Sequence, residues 1–228
     1  MMPIPITCVD NFYKDPDRVR EWALTLPFDK GEGTTNYPGE RTEYLNFVDK
    51  RFFDDFVVKL LSLFYNLDDN EVRCQCDTAF QKIYPYDADP LSSLNGGWNH
   101  LDDNDYLFAG VIYLSKDPST YSGTTLVHPK IADVKKQCDF SVRNQLYAEG
   151  TVSKEEYAQK REEHNNQFED SLVVGNRFNR LICYGNENWH RESSLYMEDQ
   201  DFRLTQVFFV KNLEASSFPL HRITQHNL

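Results

Sequence analysis

Six histidines stand in this chain of 228 residues, and two of them sit where a metal ion could be held. His100 lies in Trp98-Asn99-His100-Leu101-Asp102. On a strand or strand end, residues i and i+2 point to one face, so His100 and Asp102 can aim at a common point. Asp103 would point away, and Asp105 falls past the turn. Taken alone, a His-x-Asp pair also fits an exposed acidic turn. His190 follows a strand-like run and closes the loop Gly185-Asn186-Glu187-Asn188-Trp189-His190. Two histidines and one carboxylate are the facial donor set of non-haem iron, which leaves three adjacent positions open. Beyond His190 comes Phe202-Arg203-Leu204-Thr205-Gln206-Val207-Phe208-Phe209, where Arg203 and Thr205 share a face with Val207 and Phe209. An arginine directed into an apolar interior demands an anion. That anion is either an internal carboxylate or the carboxylate of a bound ligand, gripped by the planar fork.

These elements occur in the order seen in a known family. The run Tyr84-Pro85, His100-Leu101-Asp102, Tyr113-Leu114-Ser115, Ser122-Gly123-Thr124-Thr125, His190 and Arg203-Leu204-Thr205 resembles the Fe(II)- and 2-oxoglutarate-dependent dioxygenases, in particular their prolyl-hydroxylase-like branch. The resemblance spans about residues 78–210. It implies a double-stranded β-helix (jelly-roll, cupin-like) core with iron at one mouth, ligated by His100, Asp102 and His190. It implies further that Arg203 holds the distal carboxylate of 2-oxoglutarate, that Tyr113 donates to the same group, and that Tyr84 and Thr205 line the pocket. The implied reaction hydroxylates an unactivated C–H bond of a peptidyl side chain or small molecule, consuming 2-oxoglutarate and O2 and releasing succinate and CO2. Ser115 and Ser122 depart from the family's usual Asn and Gly. The other readings of the same set are a cupin-like metal-binding or structural protein without turnover, and a metal-dependent isomerase or hydrolase. A buried Arg203 has a clear purpose with 2-oxoglutarate and little in a plain isomerase. A halogenase would need a small residue at the metal carboxylate, where this chain has Asp102.

The elements that must position these residues are legible from periodicity. Ile4 to Val9 reads as a short strand. Asp15-Pro16-Asp17 opens a helix, with Asp15 as cap and Pro16 in the first turn, and Pro27 ends it. A polar loop with Gly31, Gly33, Pro38 and Gly39 leads to a second amphipathic helix over about 50–66, with Phe53, Phe56, Val57, Leu60 and Phe64 inward. From Val72 the pattern becomes β, in short strands separated by turns. A charged segment at about 131–170 interrupts it, and Ser153-Lys154-Glu155-Glu156 there has the form of a capping box. We expect an α+β, mainly β protein with two N-terminal helices: a single domain over 1–228, with helical support at 1–70, the β core at 71–213 and a tail at 214–228. The insertion is expected to border the substrate entrance.

Composition bounds the partners. With 36 acidic against 24 basic side chains the net charge is −12, which demotes nucleic acid because no net positive field would draw phosphate in. No stretch approaches the roughly 18 apolar residues of a membrane span. Cys8, Cys74, Cys76, Cys138 and Cys183 are odd in number and scattered, which fits free thiols and a cytoplasmic protein. His128 reads as a polar strand end, while His164, His221 and His226 read as solvated. Trp98 and Trp189 read as packing around the ligands, and Arg177 and Arg180 as surface charge.

Overall fold

The structure, a computed structural model, describes residues 4–30, 37–102, 105–131, 134, 145, 149–198 and 201–221. Gly31, Gly33, Asp103, Cys138, His226 and much of the expected insertion lie outside these residues.

Its elements in chain order are β1 (Thr7–Val9), α1 (Pro16–Thr25), β2 (Glu40–Arg41), α2 (Leu45–Val48), α3 (Lys50–Leu61), β3 (Val72–Ile83), β4 (Phe108–Tyr113), β5 (Thr124–Pro129), α4 (Lys154–Asn165), β6 (Phe168–Val174), β7 (Leu181–Gly185), β8 (Trp189–Glu192) and β9 (Arg203–Ala215). The fold is mixed α/β. Two sheets, ordered β1-β7-β4-β9-β3-β2 and β6-β5-β8, contain only antiparallel pairs.

Local chemistry starts the helices as the sequence suggests. The Asp15 carboxylate accepts from the Arg18 amide at 3.2 Å, and Asp49 caps α3 through Phe52 at 3.0 Å. The second helix is shorter than expected. It ends at Leu61, and Phe64 and Tyr65 turn back onto the Leu61 carbonyl, so Phe64 is buried from a turn. Neither α2 nor the two-residue β2 shows a period long enough to read.

Strand alternation divides the work of β9. Leu204, Phe208 and Val210 face α1 and α3 in one apolar cluster with Phe12, Phe56, Leu60, Phe64, Phe80 and Phe108. Phe56 meets Phe208 edge-on at 5.6 Å and Phe64 meets Phe108 at 5.8 Å, the tilted geometry that aromatic quadrupoles favour. The other face of the large sheet meets the small sheet through Tyr113, Ile182 and Tyr184 against Leu126 and Val174. Arg203 and Thr205 point to this second side.

The described part of the expected insertion is mainly the helix α4. Ser153 caps α4 as a capping-box serine would, accepting from Glu156 at 3.1 Å. Yet α4 buries Tyr157, Ala158 and Arg161, and β6 already begins at Phe168. This helix supports residues 93–99 directly, so it braces the core.

Candidate metal centre

His100 and His190 are brought together by backbone. Each amide donates to the other's carbonyl, at 2.9 and 3.0 Å, in an isolated antiparallel bridge beside the small sheet. Their rings lie 4.3 Å apart. Asp102 closes the triangle, with Oδ1 4.0 Å from His100 Nε2 and Oδ2 3.7 Å from His190 Nε2. One ligand atom from each residue lies within 4.8 Å of the others. Two donors about 2.1 Å from one ion at right angles would stand about 3 Å apart, so the three need close by only a small amount.

The tautomers are fixed by neighbours. Nδ1 of His100 lies 2.7 Å from the Trp98 carbonyl, and Nδ1 of His190 lies 3.0 Å from the Asn188 carbonyl. A carbonyl only accepts, so both Nδ1 atoms carry the proton. Nε2 is then the atom of each neutral ring that carries the lone pair, and it faces Asp102, as a metal ligand requires. Tyr184 packs its ring 4.4 Å from His190, and burial together with Asp102 pushes its phenol well up, so it stays neutral.

Three side chains of α4 hold the segment leading into His100. Asn165 accepts from the Asn99 amide and donates to the Gly97 carbonyl, both at 2.9 Å. Arg161 donates to the Gly96 carbonyl at 3.0 Å and to the Ser93 carbonyl. His164 Nε2 donates to the Asn99 carbonyl at 2.8 Å. The expectation of a solvated His164 is therefore corrected: it is half-buried, and burial lowers its pKa below the usual 6.5. Gly97 is needed here, since a Cβ would sit 2.4 Å from the Glu192 carbonyl of β8.

A second group lies on the sheet face just described. Arg203 is 2% exposed, and its Nε donates to the Ser122 carbonyl at 2.9 Å. Among the described residues no carboxylate pairs with it. Its guanidinium carbon lies 5.3 Å from the Tyr113 ring centre, and the Tyr113 hydroxyl bonds Thr124 Oγ1 at 2.7 Å. Burial raises the Tyr113 pKa, with the Arg203 charge opposing. Thr205 Oγ1 is buried and makes no hydrogen bond. Tyr184 packs with Tyr113 in one cluster and against the His190 ring, and so touches both groups. The sequence departures have local work: Ser115 Oγ accepts from the Leu204 amide at 2.8 Å, and Ser122 Oγ donates to the Ser119 carbonyl at 2.7 Å and accepts from Asn176 Nδ2 at 3.0 Å.

Tyr84 does not join the Arg203 group. It is exposed, with its hydroxyl 3.4 Å from Glu40 and its ring against Phe202, whose side chain takes the face opposite Arg203. Ile83 is paired with Arg203 and shares its face, so Tyr84 falls on the opposite face by ordinary alternation, a register that a Tyr-Pro dipeptide does not reveal. Arg177 and Arg180 both pair with Asp10, whose pKa falls chiefly through its bond to Arg180. His128 is an exposed strand end bonded to Ser171, as expected, and His221 is exposed. Trp98 and Trp189 are buried beside the site. No described helix is long and apolar enough to cross a membrane.

A family model described as "Family of unknown function (DUF6445)" matches residues 3–209. No curated protein matches. Among solved structures, a prolyl hydroxylase from Trichoplax adhaerens, in complex with a hypoxia inducible factor peptide, is similar at 12% identity and TM-score 0.50, covering 91% of this chain and 83% of that one. HygX from Streptomyces hygroscopicus, with nickel and 2-oxoglutarate bound, is similar at 13% identity and TM-score 0.50, covering 90% and 82%. The epimerase SnoN, in complex with Fe3+, alpha ketoglutarate and nogalamycin RO, is similar at 10% identity and TM-score 0.51, covering 98% and 85%. At these identities the likeness is one of fold.

Proposed function

The chain belongs to the DUF6445 family, and we propose that it is an Fe(II)- and 2-oxoglutarate-dependent oxygenase that hydroxylates a C–H bond. We read its two sheets as a double-stranded β-helix within one domain over 1–228. His100, Asp102 and His190 are the metal ligands, and Arg203, Tyr113 and Thr205 hold the cosubstrate. The observation that carries this reading is the Arg203 fork, buried without a carboxylate among the described residues, beside a buried Thr205 hydroxyl that lacks a hydrogen bond. A guanidinium in a dry interior is costly unless an anion completes it. A ligand carboxylate supplies two acceptors for the fork and one for Thr205. The metal-binding relatives in fold, one with nickel and 2-oxoglutarate and one with Fe3+ and alpha ketoglutarate, support the choice of both.

The donor set suits the metal. Two neutral imidazoles and one carboxylate are borderline ligands that accept Fe(II) and leave a face open. When bound, the metal supplies oxidative decarboxylation of 2-oxoglutarate coupled to oxidation of the substrate C–H bond. The protein's part is orientation and exclusion of water. The Trp98 and Asn188 carbonyls hold the Nδ1–H of each imidazole and so present Nε2 as the ligand atom, Arg203 fixes the far end of the cosubstrate, and Tyr113 and Tyr184 remain neutral walls. The test is an anaerobic 2-oxoglutarate titration with Fe(II), following the metal-to-ligand absorption band. Wild type should form the band, and Arg203→Ala should lose roughly 2–5 kcal/mol of 2-oxoglutarate binding with metal binding retained. Equal affinity in Arg203→Ala would reduce this arginine to a structural element.

A further inference from the structure

Arg41 has no part in the metal centre or the cosubstrate cradle, yet it stands on the same wall. Register carries it there: Arg41 pairs with Gln81, Gln81 with Thr205, and Thr205 with Tyr113, across β2, β3, β9 and β4. Directly paired residues share a face, and two strand spacings put Arg41 about 9.5 Å from Thr205. Its position is rigid. Gly39, at φ +78°, presses the turn so close to β3 that a Cβ would lie 1.9 Å from the Lys82 carbonyl. The Arg41 amide and carbonyl both bond Asp29, at 2.9 and 2.8 Å.

The side chain is aimed as carefully as the backbone. Nε and Nη2 donate to Gln81 Oε1 at 3.2 and 3.1 Å. Gln81 is buried, and its own amide donates to the Pro38 carbonyl at 2.7 Å, which keeps its oxygen turned to Arg41. The guanidinium lies 3.8 Å from the Tyr37 ring centre and 5.6 Å from that of Phe209. Among the described residues no carboxylate pairs with it, and Nη1 makes no hydrogen bond. Asp102 and Glu192 are near enough for their charges to act on it, while burial pulls its pKa down. A structural brace between Gln81 and Tyr37 has no need of the remaining nitrogen. A fork with aromatic walls, in an acidic chain, is a local receptor for an anion.

We propose that Arg41 anchors the primary substrate, and that this substrate is a small carboxylic acid whose carboxylate seats on the Arg41 fork while its C–H bond faces the metal triad. The assignment rests on the oxygenase reading above. Tyr37 and Phe209 flank the bound carboxylate, and Gln81 keeps the fork oriented toward it.

The test uses full-length protein with Fe(II) and 2-oxoglutarate under nitrogen. A panel of N-acetyl amino acids and 2-hydroxy acids, each beside its carboxamide, is titrated while the metal-to-ligand band is followed. In wild type, at least one acid should perturb the band with an affinity about tenfold or more above that of its carboxamide. Arg41→Gln should erase that preference, Arg41→Lys should keep part of it, and both should retain the band itself, which reports an intact site. A panel in which no acid outperforms its carboxamide, or a preference that survives in Arg41→Gln, overturns the proposal. Failure of wild type to form the band at all overturns the oxygenase reading, and the substrate assignment with it.

Discussion

Asn165→Ala removes the bracket between α4 and the segment before His100. Two hydrogen bonds go, leaving the Asn99 amide and the Gly97 carbonyl without their partner in a buried stretch. At about 1–3 kcal/mol for each of the two buried groups left unmade, the loss is about 2–6 kcal/mol where water does not enter. His100 itself keeps its backbone bridge to His190, so the triad loosens rather than disperses. Partners that orient a ligand typically carry about 10–100-fold in metal affinity, or about 1.4–2.7 kcal/mol, which the lost bonds can supply. We expect Co(II) affinity, by calorimetry or visible absorption, to fall within that range. The apo protein should melt about 4–24 °C lower, at about 2–4 °C per kcal/mol for a chain of this size. Asn165→Asp, which keeps the acceptor for Asn99 but turns an oxygen on the Gly97 carbonyl, should fall between. Gln159→Ala, on the same helix with an exposed bond to Glu163, is the control. Metal affinity within about twofold of wild type in Asn165→Ala would refute the bracket.

His100→Ala and His190→Ala should each abolish stoichiometric Fe(II), Mn(II) and Co(II) binding by metal analysis, and retention in both would displace the ligand assignment. Tyr113→Phe should weaken 2-oxoglutarate by about 0.5–1.5 kcal/mol, less than Arg203→Ala, because it deletes one neutral donor and leaves the charge in place. The pKa of His164 is lowered by burial, so the folded protein resists its protonation. Its contribution is complete above the unfolded value of 6.5 and is lost as pH falls from there through the folded value. The apo protein should therefore melt progressively lower below about pH 6.5, with a smaller drop in His164→Gln, and identical pH profiles would contradict this.

The pairs His100–Asp102 and Arg203–Thr205 were legible because their cues are local. Period-two alternation puts His100 with Asp102 and Arg203 with Thr205, and both pairs share faces as expected. His190 could be found only by residue type and order, since its approach to His100 depends on a backbone bridge between distant segments. Arg41 could not be read at all: a two-residue strand inside a polar loop has no period. The misplacement of Tyr84 came from a motif that fixes sequence order but not the face of a residue past a strand end. The brace formed by α4 was missed for a different reason. Arg161, His164 and Asn165 satisfy backbone groups far away in sequence, and a polar helix whose partners are non-local looks the same as a solvated one.

The pairing of β3 with β9 has a consequence for how the molecule comes into being. Val72 is matched with Ala215 and Ile83 with Arg203, so the longest ladder joins a strand made early to one made last. Closing so large a loop must precede its reward, which makes such pairings slow to form. During synthesis β3 waits with one edge open, and β4 can pair with β7 but lacks its second neighbour until β9 emerges. The N-terminal helices wait as well, because Leu204, Phe208 and Val210 belong to the cluster that seats them. Folding is then a single late event in which the helical layer, the sheet and the Arg203 cradle form together. A chain truncated before Arg203 should remain an aggregation-prone intermediate rather than a smaller folded protein.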